Sequence, residues 1–381
     1  MSSKDGKCPR CGHENVSRAL FCFRCGRDLN AAQTVDGVPG TGKLVSDALR
    51  FIKERGYPLE SGMIARLEEG KMKMPPENIS GESLTCLHCG TLNRPEAAHC
   101  IQCQSALIVP DDDFNLILRP SARTNIGQVR HNNEDNVHLW AIDGVLLALV
   151  ADGMGGAAAG EVASGLAVEA VQADFLGKAR DSDRLQMMSE RDLNERLKMA
   201  IYDANMAVIK RTQNEPPLKG MGTTSTLLMV RANRALIAHV GDSRAYYVDG
   251  SLRQISQMTN DHSFVQALVT SGHITADQAE SHPMRNVLYR ALGQSADMEV
   301  DLYSHYLRAE DRIIMCSDGL TRHLEPTDIL KITLEESNPH AASQRMIELA
   351  NQRGGEDNVS VIVIKIAEAT SDETIPNYPP V

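Results

Sequence analysis

No run in this chain approaches the roughly 20 consecutive apolar residues that a membrane-spanning helix needs, so a bilayer-crossing segment is not expected. The opening residues, MSSKDGKCPR, hold no apolar h-region, which removes the expectation of a secretory signal. A basic surplus is missing as well. The formal net charge of −11 argues against a protein built mainly to coat nucleic acid. Cysteines outside C-x-x-C pairs are nearly absent, since eight of the nine fall in such pairs. In a chain without an export signal, that usage reads as metal ligation in a reducing cytosol, and a cytoplasmic protein is expected. What is present is an ordinary soluble balance of 42% hydrophobic and 23% charged residues over 381 positions, enough for two or three units.

The paired cysteines form an internal repeat. Cys8, Cys11, Cys22 and Cys25 share the spacing C-x2-C-x10-C-x2-C with Cys86, Cys89, Cys100 and Cys103. Two knuckles supplying four thiolates suit tetrahedral Zn²⁺, one structural ion per set. Units this short bury little core, so zinc supplies much of their folding energy. The expectation is a first zinc ribbon over 1–30, a partly helical connector over 31–85 and a second ribbon over 86–107. In the connector, Val45, Leu49 and Ile52 share one helix face, and a shorter helix behind Ser61 buries Ile64 and Leu67. The 60 residues between Cys25 and Cys86 leave open whether the ribbons pair or flank a small helical unit. Neither ribbon carries a dense Lys/Arg stripe, so docking to a protein or a purely structural role is expected rather than nucleic-acid binding. The run GVPGTGKL, 37–44, lacks two features of a phosphate loop: Leu44 replaces the hydroxyl, and no strand precedes Gly37.

After a solvated linker over 108–115, the pattern becomes regular from 116 to 367. Beta-like segments are expected near 137–142, 145–151, 223–230, 234–240, 244–248, 298–304, 312–316 and 359–365. Two long helices, about 159–176 and 189–211, fall between the second and third of these. The first carries Ala163, Ala167, Val171 and Phe175, the second Leu193, Leu197, Ile201 and Val208. Helices near 326–336 and 340–352 precede the last strand. Mostly antiparallel strands with helices arriving in pairs predict an α+β fold of two stacked sheets covered by helices. The last residues, 368–381, have little to bury and read as a disordered tail.

Acids recur where these strands end. Asp152 follows VLLALVA, Asp242 follows ALIAHVG, Asp318 follows RIIMCS, Asp357 precedes NVSVIVIKI, and Asp135 sits just before another strand. One such Asp is most often a turn former or a helix cap. Five in the same setting point elsewhere, because converging carboxylates repel unless cations lie between them. Oxygen donors without nearby His or Cys suit the hard cations Mg²⁺ or Mn²⁺. Two such ions can activate water for attack on phosphorus.

The series VRHNNEDN, VADGMGG, GTTSTLL, VGDSRAY, DHS, RNVLYRALG, CSDGLTRHL and GGEDNVSVIVI resembles, in content and order, the metal-dependent Ser/Thr protein phosphatases of the PPM or 2C type in their bacterial form. The resemblance covers 116–367 and implies a four-layer α-β-β-α sandwich. It implies that Asp152 bridges two core metals, with the carbonyl of Gly153 completing one, while Asp318 and Asp357 hold the other. Glu134 accepts from metal-bound water and Asp135 lies close to the cluster; Asp242 with Asp318 matches the acids of a third, looser ion. Arg130 matches the arginine that grips the substrate phosphate, whose oxygens its planar fork suits. Water held between the metals attacks phosphorus directly, with no covalent intermediate.

Two positions depart from the family's wider pattern. Met154 stands where animal members carry a His proposed as general acid, as it does in bacterial members, and Ala157 stands where bacterial members often carry His. The segment 263–290 matches a flap beside the active site and reads as helix–turn–helix starting at Thr275 or Asp277. His262 and His282 within or beside it read as structural, and Cys316 as a buried inert thiol. The expected partners are phosphorylated proteins and a cognate Ser/Thr kinase. The competing expectation is a catalytically weak phosphatase-fold scaffold that binds phosphoproteins, with the ribbons as docking modules. The sequence does not set the oligomeric state.

Overall fold

The computed structural model describes residues 116–368, apart from 143, 156–158 and 178–181, together with 84–85 and 92–93. Both four-cysteine sets, the connector up to residue 83, the linker, Ala157 and residues 369–381 lie outside the described residues, while Glu368, expected to open the tail, ends the last strand. Contacts divide the chain into two compact units. In the smaller, Gly70–Asn115, β1 (Leu84–Thr85) pairs antiparallel with β2 (Leu92–Asn93).

In the larger unit, β3 (Leu116–Asn125), β4 (Asn136–Ile142), β5 (Val145–Ala151) and the two-residue β6 (Gly153–Met154) lead into helices. These are α1 (Ala159–Gln172), which runs on as a π-helical turn over Ala173–Gly177, then α2 (Ser182–Met187) and α3 (Glu190–Asn214). The strands β7 (Gly222–Thr223), β8 (Ser225–Arg231), β9 (Arg234–Val240), β10 (Arg244–Asp249) and β11 (Gln254–Gln257) follow. Two short helices, α4 (Phe264–Thr270) and α5 (Ala276–Glu280), precede β12 (Asp301–Tyr306) and β13 (Arg312–Cys316). The chain then forms α6 (Asp318–Thr321), α7 (Pro326–Glu335), α8 (Pro339–Gln352) and β14 (Val359–Glu368).

Ten of these strands make two five-stranded sheets, in the orders β12-β9-β8-β5-β4 and β11-β10-β13-β14-β3, and every pairing is antiparallel. Alternation along β5 explains why VLLALVA is apolar throughout. Leu146, Ala148 and Val150 face one core with Ile313, Met315, Ile362 and Ile364 of the other sheet, while Leu147, Leu149 and Ala151 pack under Ala167, Val171, Leu197 and Ile201 of α1 and α3. On the far side, Tyr246, Ile314 and Val361 lie against Ile329 and Ile332 of α7 and Met346 and Ile347 of α8. The layers therefore run helices, sheet, sheet, helices, and each fully buried Leu or Ile contributes about 1.5–3 kcal/mol.

Three details differ from the sequence reading. β3 was not expected, because Pro120 interrupts its pattern; it is an edge strand, paired only to β14, where a missing N–H is tolerated. The strand expected near 298–304 begins at Asp301, since Met298 and Val300 pack onto the α1–α3 core without joining the ladder. β11, QISQ, is a polar sheet edge with no apolar alternation to announce it.

Candidate active site

The ends of β5, β9 and β13 and the start of β14 bring Asp152, Asp242, Asp318 and Asp357 to one region, joined by Asp135 from the loop before β4. The backbone at Asp152 is clamped by the GTT segment: its N–H donates to Thr224 Oγ1 (2.9 Å), and its carbonyl accepts from Thr224 N–H (2.9 Å) and Thr223 Oγ1 (3.0 Å). Gly153 donates its N–H to the Glu134 carbonyl (3.2 Å). A Cβ there would stand 2.2 Å from the Gly160 carbonyl oxygen and 2.5 Å from that of Glu134, so only glycine allows this approach.

The loop carrying Arg130, Glu134 and Asp135 is tied to β14 by Asn358. Its amide donates to the carbonyls of Ile126 and Asn132 (both 2.9 Å) and its Oδ1 accepts from Glu134 N–H (2.8 Å). Ser317 donates to Asp135 Oδ2 (2.7 Å), and the Ser317 hydroxyl in turn accepts from Ser360 N–H (3.1 Å). Arg130, half exposed, places Nη2 at 2.9 Å from both oxygens of Asp357. Arg322, four residues along from Asp318 on α6, pairs with that carboxylate and stands 3.6 Å from Asp357.

The electrostatics set three of the acids apart. Burial, opposed by the Ser360 and Ser317 hydroxyls and reinforced by Asp318 and Asp357, pushes Asp135 up to about 7. Asp152 is raised well above the carboxylate range by burial and then by Asp135, Asp318, Asp242 and Asp357. Asp242 is raised by burial and then by Asp318 and Asp261, against the pull of Arg244 and Arg322. Among the described residues, no three His, Cys, Asp or Glu side chains already form a metal-binding cluster. The donor set nonetheless fits divalent cations: its oxygens are hard, its charges repel one another, and protons hold the place of a cation. Of the residues singled out from the sequence, Asp135, Asp152, Asp242, Asp318, Asp357 and Arg130 come together electrostatically or by direct contact, while Glu134 and Gly153 meet through their backbones.

Sequence reasoning missed Asn358, Ser317, Ser360, Thr224 and Arg322. Each lies inside a motif already noted, and Arg322 had a signal of its own in its i,i+4 spacing from Asp318.

Beside this region lies a second polar cluster. His262 is fully buried, and its Nδ1 accepts the N–H of Gly241 (3.0 Å), so the neutral ring carries its proton on Nε2, 3.2 Å from Asp301. Arg290 Nη1 donates to Asp301 Oδ1 (2.8 Å). Burial lowers His262, while burial of Asp301 is outweighed by the His262 hydrogen bond and by Arg290, which hold that carboxyl below its usual range. Asp261 takes Arg244 through Nε and Nη2, the latter at 2.7 Å. The segment 264–280 is helix–turn–helix as expected, with Thr275 as the cap of a capping box. His282 Nδ1 accepts from Met284 N–H (3.1 Å), and buried Cys316 is pushed up to about 12, an inert thiol.

Residues 127–353 match the family described as protein phosphatase 2C, and residues 8–104 match the double zinc ribbon. The serine/threonine protein phosphatase PstP of Mycobacterium tuberculosis is 40% identical over 262 residues, which are 68% of this chain and 47% of PstP. This chain therefore spans about half the length of that relative. The serine/threonine phosphatase stp of Listeria monocytogenes is 33% identical over 244 residues, 64% of this chain and 94% of the Listeria protein. A solved structure of the PstP catalytic domain in complex with two manganese ions is 38% identical, covers 66% of this chain and 100% of its own, and gives a TM-score of 0.57.

Proposed function

This chain belongs to the protein phosphatase 2C family, and from that premise we propose that it removes phosphate from phosphoserine and phosphothreonine in proteins. The observation that carries the reading is the set of carboxyls at the strand ends, three of them held above their usual range by burial and by one another. Asp152 and the Gly153 carbonyl, with Asp318 and Asp357, would hold two Mn²⁺ or Mg²⁺ ions, and Asp242 with Asp318 a third. When bound, such cations neutralise phosphate charge and make water a nucleophile at neutral pH. Glu134 would accept hydrogen bonds from metal-bound water, and Asp135 would stand with the metal acids. Arg130, half exposed on Asp357, swings its fork to the substrate phosphate. The catalytic unit is assigned to 116–367 as a four-layer α-β-β-α sandwich.

The cysteine sets at 1–30 and 86–107 are assigned to two zinc ribbons, supported by the double zinc ribbon match across 8–104. They serve structure or docking to a partner protein, not catalysis. A Ser/Thr kinase that phosphorylates the same substrates in the cytoplasm completes the proposed setting.

The test is turnover of a phosphothreonine peptide by the full chain. Activity should vanish in chelator and return with Mn²⁺; undiminished turnover in metal-free protein overturns the mechanism. Elemental analysis of protein purified without added metal should find two zinc ions per chain, and none would refute the ribbons. Removing residues 1–105 should leave peptide turnover largely intact.

A further inference from the structure

Two guanidinium groups converge on Asp357. Arg130 reaches it from the loop after β3, at 2.9 Å, and Arg322 reaches it from the end of α6, at 3.6 Å. Arg130 matches the family's phosphate arginine, whereas Arg322 belongs to none of the roles that the resemblance implies. Its position is not that of a solvated surface arginine, because its side chain is 29% exposed and its guanidinium also pairs with Asp318. Burial works against its charge, yet Asp318, Asp357 and Asp242 raise it above the ordinary arginine value, so it feels three of the proposed metal acids at once.

That pairing is weakened in a loaded site. A carboxylate oxygen committed to a divalent cation has little left for a guanidinium, and the cation repels the guanidinium as well. Arg322 sits at the C-terminal end of a four-residue helix, so the same stem can redirect its fork over a short distance. The anion that enters this region during turnover is the substrate phosphate, brought beside Arg130. Two planar forks match phosphate oxygens in a way that one arginine cannot.

We propose that Arg322 is a second phosphate-binding arginine, sharing Asp357 with Arg130, and that it doubles as the internal counter-cation of the acids before metal enters. The proposal rests on the phosphatase reading above and deepens it: the site takes a phosphate dianion between two arginines, which favours phosphomonoesters over diesters carrying one charge fewer.

The experiment uses the full chain and the variants R322A and R322K, with melting curves to establish that each folds. Calorimetry of inorganic phosphate binding to Mn²⁺-loaded protein is the primary readout, because it needs no turnover. R322A should bind phosphate about tenfold more weakly, the loss of one charge-assisted hydrogen bond, with R322K partly restoring it. On a phosphothreonine peptide, KM should rise more than kcat falls. Mn²⁺ should bind R322A at least as tightly as the parent, since a competing cation has gone. Unchanged phosphate affinity and unchanged KM in R322A would overturn the proposal and leave Arg322 as a counter-ion alone. A parent protein that binds phosphate through Arg322 yet shows no metal-dependent turnover would sink the phosphatase reading while sparing this one.

Discussion

Two polar clusters lie within the larger unit, and they are built on opposite plans. Around His262, charges are matched: Arg290 and the His262 ring face Asp301, and Arg244 grips Asp261. Asp301 accordingly sits below the usual carboxylate range. Around Asp152, acid faces acid, and Asp135, Asp152 and Asp242 all move upward. Both clusters are rich in buried titratable groups, so burial alone does not separate them. The sign of the carboxyl shift does: a self-satisfied cluster is architecture, and an unsatisfied one asks for a ligand of opposite charge.

The strongest way to break this contrast is D152N, which keeps shape and hydrogen-bonding oxygen while removing one repelling charge. Phosphatase activity should fall by orders of magnitude and Mn²⁺ should bind more weakly by calorimetry, because a carboxylate proposed to hold both ions is gone. The metal-free variant should melt no lower than the parent, since a neutral amide replaces a carboxyl whose ionised form burial and its acidic neighbours disfavour. Near-parental turnover and Mn²⁺ affinity would reduce Asp152 to a turn residue. The matching change in the paired cluster, D301N, should behave in the reverse manner. It takes from Arg290, which is 8% exposed, its 2.8 Å carboxylate partner, leaving Glu299 at 3.7 Å, and should cost about 2 kcal/mol in urea unfolding, with turnover falling far less than in D152N. A D301N protein as stable as the parent would show that the cluster is not held by its charges.

A smaller effect sharpens the contrast through pH. Without metal, the folded chain keeps protons on Asp135, Asp152 and Asp242 that the unfolded chain has already shed, so stability should fall as pH rises through about 7. Buried His239, lowered to about 3, works in the opposite direction, as do His138, His262, His273 and His305, all lowered by burial. Their effect is strongest below about 6.5, where the unfolded chain takes up the protons, and fades about one pH unit above. From about pH 7.5 to 8.5 the acids therefore act with little opposition from the histidines. Melting temperatures should decline across that range in chelator, and saturating Mn²⁺ should abolish the decline. A flat profile in chelator would mean that the acids carry no mutual strain.

Much of this was legible along the chain. VLLALVA and NVSVIVIKI announce buried strands because both their faces meet apolar layers, and the helical faces of α1 and α3 follow the 3.6-residue period. The acids stood out by recurring at strand ends. β3 and β11 were hidden for the same physical reason: an edge strand bonds on one side only, so it tolerates Pro120 in one case and polar residues in the other. Met298 and Val300 misled the placement of β12, since apolar spacing records burial and not hydrogen bonding.

Local order in the sequence determined the alternation of strands and helix pairs, the glycine at 153 that lets backbones close up, and the identity of the five acids. It could not determine which charges oppose and which repel. Asp152 and Asp301 each stand at a strand terminus, one just beyond β5 and the other opening β12. Only the tertiary structure put Arg290 and His262 against Asp301 and put Asp135, Asp318, Asp242 and Asp357 around Asp152. Coulomb energy depends on distance through space, and the partners that decide each carboxyl's fate come from residues as many as 227 positions apart in the chain, as Arg130 and Asp357 are.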